Sequence, residues 1–187
     1  MGRWEPGAAG RLRVAAMELY AERGFDRTTV AEIADRAGVT ARTFFRHFAD
    51  KREVLFGGSE QLEEHLVAAL AAAPADASPM AAVTAAVLAS ADYFADLPRE
   101  DARRRAAVIA STPELREREL IKMASLTTAL AGALRDRGVE PAVAALAAET
   151  GVGVFKVAFE RWIAAPDDVP IGDVIRATLQ DFSALTA

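Results

Sequence analysis

The chain contains no cysteine and only two histidines, His47 and His65. The absence of cysteine excludes disulfides, thiolate metal sites, iron–sulfur clusters and cysteine nucleophiles. Two histidines leave little for a histidine-rich metal site or a Ser/His catalytic pair. The sequence also lacks a phosphate-binding loop, because no strand precedes the glycines Gly151 and Gly153. We therefore expect a protein that is not an enzyme and has no cofactor or metal.

Long hydrophobic runs are also missing. No stretch reaches the roughly 18 uninterrupted apolar residues that a membrane span needs. The N-terminal residues lack the apolar segment of a signal peptide. We therefore expect a cytoplasmic protein with no membrane partner. Hydrophobic residues make up 52 % of the 187 positions and charged residues 26 %, which is a globular composition.

The sequence shows no sustained alternation of β-branched residues and therefore predicts no strands. Alanine, the best helix former, occupies 43 positions. Capping and proline signals predict an all-α protein of about nine helices. The predicted helices lie at roughly 10–23, 30–36, 41–47, 51–71, 79–97, 101–110, 113–136, 141–164 and 171–185.

Residues 28–51 contain two short predicted helices around a tight turn. Thr29 and Glu32 form a capping box, in which the threonine caps the helix start and the glutamate reaches back. Gly38 allows the positive φ that such a turn commonly needs, and Thr40 caps the second helix. The pattern is typical of a helix-turn-helix motif.

Helical phase divides the second helix of this motif into two faces. Phe44 and Phe48, four residues apart, are expected to face inward. The expected outward face comprises Arg42, Thr43, Phe45 and Arg46. Arginine can bind guanine as a fork, and a threonine methyl or a ring can touch a thymine methyl. Side chains near the helix ends are placed for phosphates, namely Thr29, Thr40, His47 and Lys51.

The charge distribution agrees with a DNA-binding end. The whole chain carries −5, yet residues 1–56 carry a net +2 and the remainder a net −7. A basic module on an acidic body favours contact with DNA through that module. The alternatives are an ordinary helical hairpin with solvated arginines, or a helical interaction module without sequence-specific DNA binding.

Residues 10–56 resemble the N-terminal domain of TetR-family transcriptional regulators in the order and spacing of three helices. The resemblance is carried by residues 16–25, Thr28-Thr29-Val30, Ile33-Ala34, Ala37-Gly38-Val39, residues 43–48 and Lys51. It implies an all-helical homodimer, with a DNA-binding domain at 1–50 and a ligand-sensing and dimerisation domain at 51–187. It also implies that the protein binds double-stranded operator DNA and a small-molecule effector.

The resemblance assigns roles by position. Thr29, Thr40, His47 and Lys51 match family phosphate contacts, and Thr28 belongs to the same DNA-binding set. The positions that face bases or the adjacent backbone are Ala41, Arg42, Thr43 and Arg46. The family usually has tyrosine where this chain has Phe45, so a hydroxyl contact to phosphate is missing. Loss of Lys51 is expected to weaken binding to all sequences alike and to reduce its salt dependence.

Two predicted helices of the body carry apolar faces that could enclose a ligand pocket. Its candidate members are Phe94, Met123 and Thr127. The alternative is plain core, with Thr127 bonding its own backbone. The run Arg103–Arg105 is either a solvated helix face or a site for an anionic head group. The body also weakly resembles actinobacterial family members that sense acyl-CoA-type ligands.

The last two predicted helices are strongly apolar and suggest a subunit interface, a four-helix bundle across a two-fold axis. The candidate interface residues are Val154, Phe155, Phe159, Trp162, Ile175, Leu179 and Phe182. The alternative is core within one chain. Together with the resemblance, these features imply a ligand-responsive repressor that binds a palindromic operator as a dimer and is released by a small apolar or amphipathic effector.

Overall fold

The computed structural model describes residues 7–166 and 168–185. Ten helices and no strand occur among them, so the all-α prediction is confirmed. The helices are α1 (Ala8–Arg23), α2 (Val30–Arg36), α3 (Ala41–His47), α4 (Glu53–Phe56), α5 (Ser59–Ala71), α6 (Pro79–Tyr93), α7 (Arg99–Ser111), α8 (Pro113–Asp136), α9 (Pro141–Ala164) and α10 (Ile171–Leu185).

The predicted helix over 51–71 is interrupted, which accounts for the one helix beyond the nine expected. Gly57 and Gly58 separate α4 from α5, and Gly58 has φ 139°, a conformation that L side chains rarely adopt. The Tyr93 hydroxyl donates to the Gly58 carbonyl at 2.7 Å. The glycine pair therefore ends one helix and starts the next within two residues.

The described chain divides into two compact units. The first contains the residues up to Gly57 together with Asp101–Glu119, and the second contains Gly58–Glu100 with the residues from Leu120 onward. The division at residue 50, which separates two functions rather than two compact bodies, stays a prediction. Each unit has its own buried apolar side chains.

In the first unit, residues from α7 and α8 brace the short helix α4. Arg118 Nε donates to the Glu53 carboxylate at 2.6 Å. Arg105 Nε donates to the Leu55 carbonyl at 2.8 Å, and its guanidinium lies 5.2 Å from the centre of the Phe56 ring. The interpretation of 103–105 as a solvated face is therefore wrong for Arg105, which is half-buried because it packs against α4.

In the second unit, α9 packs against α6 and α10. By length and composition α9 could cross a membrane, but much of its apolar surface is buried within the chain. The rings of Phe94 and Phe155 stack with centroids 6.1 Å apart, and Phe159 contacts both Phe94 and Trp162. These contacts identify α9 as a core helix of this unit.

Four of the seven predicted interface residues lie in this core instead of on a free surface. They are Val154, Phe155, Trp162 and Ile175, which are at most 6 % exposed. Their apolar side chains already pack against the same chain, so a second subunit cannot reach them in this conformation. The remaining three, Phe159, Leu179 and Phe182, are half-buried.

The close approach of α6 and α9 depends on a glycine. A Cβ at Gly151 would clash with Val83 Cγ1, and Val83 is fully buried. At Gly153, two residues along the same helix, a Cβ would meet nothing within 4 Å. The expectation that small residues let these helices approach closely is confirmed at Gly151 and does not apply to Gly153.

We predict that Gly151→Ala lowers the free energy of unfolding by about 1–3 kcal/mol, because the added methyl overpacks the α6–α9 contact. The matched variant Gly153→Ala should be neutral or more stable by up to about 1 kcal/mol, because alanine favours the helix and meets no neighbour. Urea unfolding of both variants at one protein concentration measures the difference. Equal effects of the two substitutions would contradict the proposed steric cause.

Candidate nucleic-acid interface and ligand cavity

Helix α3 divides into a buried and an exposed face. Phe44 is 0 % exposed and Phe48 is 7 % exposed, whereas Phe45 is 58 % exposed. The outward residues line one shallow surface cavity of about 330 Å³, and they are Arg42, Thr43, Phe45 and Arg46. The inward and outward phases predicted from the sequence are therefore present in the structure. A concave surface that combines two guanidinium groups with a methyl and a ring can contact base edges.

The turn before α3 fixes the start of this helix. Gly38 has φ 65°, and the Val39 amide donates to the Ala34 carbonyl at 2.9 Å. The Thr40 hydroxyl accepts from the Thr43 amide at 3.1 Å and caps α3. Upstream, the predicted capping box of Thr29 and Glu32 forms in both directions. These backbone and cap contacts orient α3 relative to α2 within the first unit.

Lys51, which follows α3, binds the turn between α1 and α2. Its ammonium donates to the carbonyls of Phe25, Asp26 and Thr28 at 2.8, 3.4 and 3.0 Å and lies 4.2 Å from the centre of the Phe25 ring. An ammonium has three N–H donors, and three acceptors engage it here. These contacts give Lys51 a structural role, and the phosphate role implied by the resemblance stays a prediction. The Tyr20 hydroxyl donates to the Lys51 carbonyl at 2.6 Å.

Thr28 is also corrected by the structure. It is 1 % exposed, and its hydroxyl donates to the Gly24 carbonyl at 2.9 Å. A buried side chain cannot contact DNA, so Thr28 holds the turn after α1. The other predicted DNA contacts are surface-accessible and stay predictions, namely Thr29, Thr40, Ala41, Arg42, Thr43, Phe45, Arg46 and His47.

Arg23 of α1 and Arg36 of α2 are paired with carboxylates, whereas the arginines of α3 form no ion pair among the described residues. Arg36 binds Glu22 at 2.9 and 3.0 Å, and these hydrogen bonds lower the pKa of the Glu22 carboxyl. Hydrogen bonds from Thr29 and the charge of Arg23 lower the pKa of Glu32. Within residues 7–166 and 168–185, no carboxylate forms an ion pair with Arg42 or Arg46. Their charges are therefore available to an outside partner.

A cavity of about 490 Å³ lies within the second unit, between the end of α6, α9 and the start of α10. The predicted ligand residue Phe94 lines it, and Trp162, predicted at an interface, lines it too. Met123 and Thr127, which lie on α8, are not among the residues that line it. The described cavity therefore does not include these two predicted ligand residues. Sequence reasoning missed Arg99, which lines the cavity and is 9 % exposed.

The geometry of the first unit defines a helix-turn-helix DNA-binding protein. The family model of the bacterial regulatory proteins of the tetR family matches residues 12–56, and the model of the MftR C-terminal domain matches residues 77–186. The second match alone covers more than half of the chain. The chain therefore belongs to the TetR family, as a transcriptional regulator with an MftR-like C-terminal domain, and this family is not enzymatic.

Individual proteins resemble the chain to different extents. The HTH-type transcriptional regulator TcmR of Streptomyces glaucescens is 42 % identical over 71 residues, which cover 38 % of this chain and 31 % of TcmR. The chain spans less than half the length of the first curated relatives that it matches. The protein of Mycobacterium tuberculosis named as mycofactocin biosynthesis transcriptional regulator MftR is 29 % identical over 151 residues, which cover 79 % of this chain and 76 % of MftR.

A solved structure shares the fold over nearly the whole chain. The transcriptional regulator FadR from Bacillus subtilis in complex with stearoyl-CoA has a TM-score of 0.58 and 18 % identity, over 91 % of this chain and 95 % of FadR. At this identity the likeness shows the fold alone. Dimers and small-molecule ligands are typical of the TetR family.

We predict a small, pH-dependent contribution from Asp50 at the start of α4. Its carboxylate accepts hydrogen bonds from the Arg52 side chain and from the Arg52 and Glu53 amides, and the pKa of Asp50 is lowered from 3.8. A lowered folded-state pKa stabilises the fold above the ordinary pKa, and this contribution disappears as the pH falls through the folded-state value. Asp50→Asn should therefore cost less than about 1 kcal/mol at pH 7, because the pair is largely exposed.

The difference between wild type and Asp50→Asn should shrink between pH 5 and about pH 3. Urea unfolding across this range measures it. The control is Asp35→Asn, at an exposed residue of α2. A difference between wild type and Asp50→Asn that is constant across the range would contradict a role of the charge.

Proposed function

We propose that this regulator is a homodimeric repressor that binds a palindromic operator and is released by a small apolar or amphipathic effector. The observation that carries the DNA-binding part is the outward face of α3, where unpaired Arg42 and Arg46 flank exposed Phe45. Because the proposed partner is operator DNA, we propose that the protein acts in the cytoplasm. The second candidate function is an interaction module without DNA binding. It does not account for the two arginines on the outward face of α3.

A repressor of this kind reads DNA with one α3 from each subunit. Paired recognition helices bind half-sites about one helical turn apart, roughly 34–36 Å. Each arginine supplies a fork that matches guanine, and Thr43 and Phe45 supply apolar contacts. Palindromic recognition therefore requires a two-fold dimer, whose surface must lie on side chains that one chain leaves exposed.

The exposed face of α9 provides such a surface. Val143, Leu146 and Val157 are 46, 70 and 47 % exposed. With Thr150 and Gly153 between them, these residues recur at alternating spacings of three and four, the pattern of a helix–helix seam. We propose that this seam, with the half-buried Leu179 and Phe182 of α10, meets a second copy of the chain. In this proposal, the seam takes the interface role that the sequence had assigned to the four buried residues.

Effector release requires linkage between the second unit and DNA binding. The effector must bind the DNA-incompetent state more tightly, typically with a coupling of about 1–3 kcal/mol. Support comes from the MftR-like C-terminal domain and from the likeness to FadR, whose structure contains stearoyl-CoA. The cavity beside Phe94 is a candidate place for such a ligand.

We predict that Arg42→Ala weakens binding to DNA from upstream of the protein's own gene by about 5- to 150-fold and relaxes specificity at one base pair, because a base-reading fork is lost. Fluorescence anisotropy at two salt concentrations, with an unrelated duplex alongside, measures both effects. The exposed α8 residue Arg116 supplies the control, and Arg116→Ala should bind like the wild type. Unchanged affinity and specificity of Arg42→Ala would overturn the assignment of α3.

We predict that Leu146→Glu converts the dimer to a monomer, because a carboxylate would be desolvated in the seam. Sedimentation equilibrium measures the molecular mass, and circular dichroism checks that the variant keeps its helices. The control is Ile121→Glu on α8, an exposed apolar residue outside the seam that should leave the mass unchanged. A dimer that survives Leu146→Glu would place the interface on another face.

A further inference from the structure

The cavity of the second unit has a buried cationic side chain in its wall. Arg99 begins α7 and is 9 % exposed, so the residue is more than nine-tenths buried. It forms no ion pair within the part of the chain that the structure describes. Burial of a cation without an anion is unfavourable because the charge loses hydration without gaining a partner. Such a residue in a cavity wall suits an anionic ligand.

The hydrogen bonds of Arg99 leave donors unused. Nη1 donates to the Ala165 carbonyl at 3.1 Å, and Nη2 donates to the Val169 carbonyl. A guanidinium has five N–H donors. Nε is buried and has no hydrogen-bond partner among the described residues. The two carbonyls are neutral, so they orient the group without cancelling its charge.

Apart from Asp168, the rest of the cavity wall is largely apolar or carries partial positive charge. The guanidinium lies 5.1 Å from the centre of the Trp162 ring, and Phe94 and Leu97 add apolar surface. Ile171 and Gly172, the first residues of the 15-residue helix α10, also line the cavity. The first amides of a helix have no partner within it and favour an anion. Asp168 is in the lining too, but it is exposed and makes no ion pair with Arg99.

We propose that this cavity binds a carboxylate with an apolar body, the carboxylate at Arg99 and the body against Trp162 and Phe94. The inference rests on the proposed function for its meaning, since the ligand would be the effector of the regulator. It goes further by giving the chemical class of the ligand and the residue that selects it. The competing role for Arg99 is purely structural, as a clamp on the chain between α9 and α10.

The test uses the full chain and the native fluorescence of Trp162. The chain has two tryptophans, Trp4 and Trp162, so Trp4→Phe leaves Trp162 as the only one. The probe is 4-phenylbutyrate, and its matched neutral control is 4-phenylbutanamide, which has the same shape without the charge. The carboxylate should change the fluorescence saturably and bind at least about tenfold more tightly than the amide, because hydrogen bonds to charged groups are stronger.

Two variants separate ligand selection from the structural role. Arg99→Gln should remove the preference for the carboxylate over the amide, whereas Arg135→Gln, at an exposed arginine of α8, should keep it. Ala91→Leu fills the cavity and keeps Arg99, so it should abolish binding of both probes in a protein whose thermal unfolding is close to wild type. This second variant keeps the test valid if Arg99→Gln fails to fold.

Equal affinities of wild type for the acid and the amide, or no saturable binding of either, would overturn the proposal and leave Arg99 as a clamp. An operator titration on the same protein separates this failure from failure of the proposed function. Tight operator binding without probe binding would refute only the ligand site. Arg99-dependent binding of the carboxylate by a protein that ignores operator DNA would support the site and refute the repressor.

Discussion

The position of the recognition helix depends on the Lys51 ammonium. It binds three carbonyls between Phe25 and Thr28, while the Tyr20 hydroxyl binds the Lys51 carbonyl. These contacts connect the end of α1, the turn before α2 and the segment after α3. Burial of the Tyr20 hydroxyl raises its pKa, so it stays a donor throughout the neutral range. The outward face of α3 can therefore be presented in one orientation.

The second unit depends on close packing rather than on a polar clamp. Gly151 brings α9 against Val83, and the stacked rings of Phe94 and Phe155 extend the same core. This packing hides much of the apolar surface that the sequence shows. The large apolar side chains that stay exposed on α9 are those of the seam from Val143 to Val157. The unit can thus keep its own core and still offer a surface to a second copy.

Much of the fold could be read from the sequence because its signals are local. The capping box at Thr29, the turn at Gly38 and the cap at Thr40 each depend on residues within a few positions. The phase of Phe44 and Phe45 likewise follows from helix geometry. The interruption at Gly58 was missed because two glycines in an otherwise helical stretch do not by themselves specify φ 139°.

The parts that could not be read depend on contacts between distant residues. Lys51 and Arg99 are ordinary basic residues in sequence, and only the fold brings carbonyls to them. The predicted interface failed for Phe155 and Trp162 because apolar periodicity marks a buried face without saying whether the same chain or a second one covers it. Helix α9 has apolar residues on both faces, so the sequence pattern alone does not separate its exposed seam from its buried face.

The most direct test of this account is the salt dependence of operator binding by Lys51→Met. The logarithm of the binding constant is measured against the logarithm of salt concentration, with the variant shown to be folded by circular dichroism. If Lys51 holds the fold, the variant is less stable but keeps the wild-type slope. If Lys51 contacts a phosphate, the slope falls by about 0.9, which would contradict a purely structural role of Lys51.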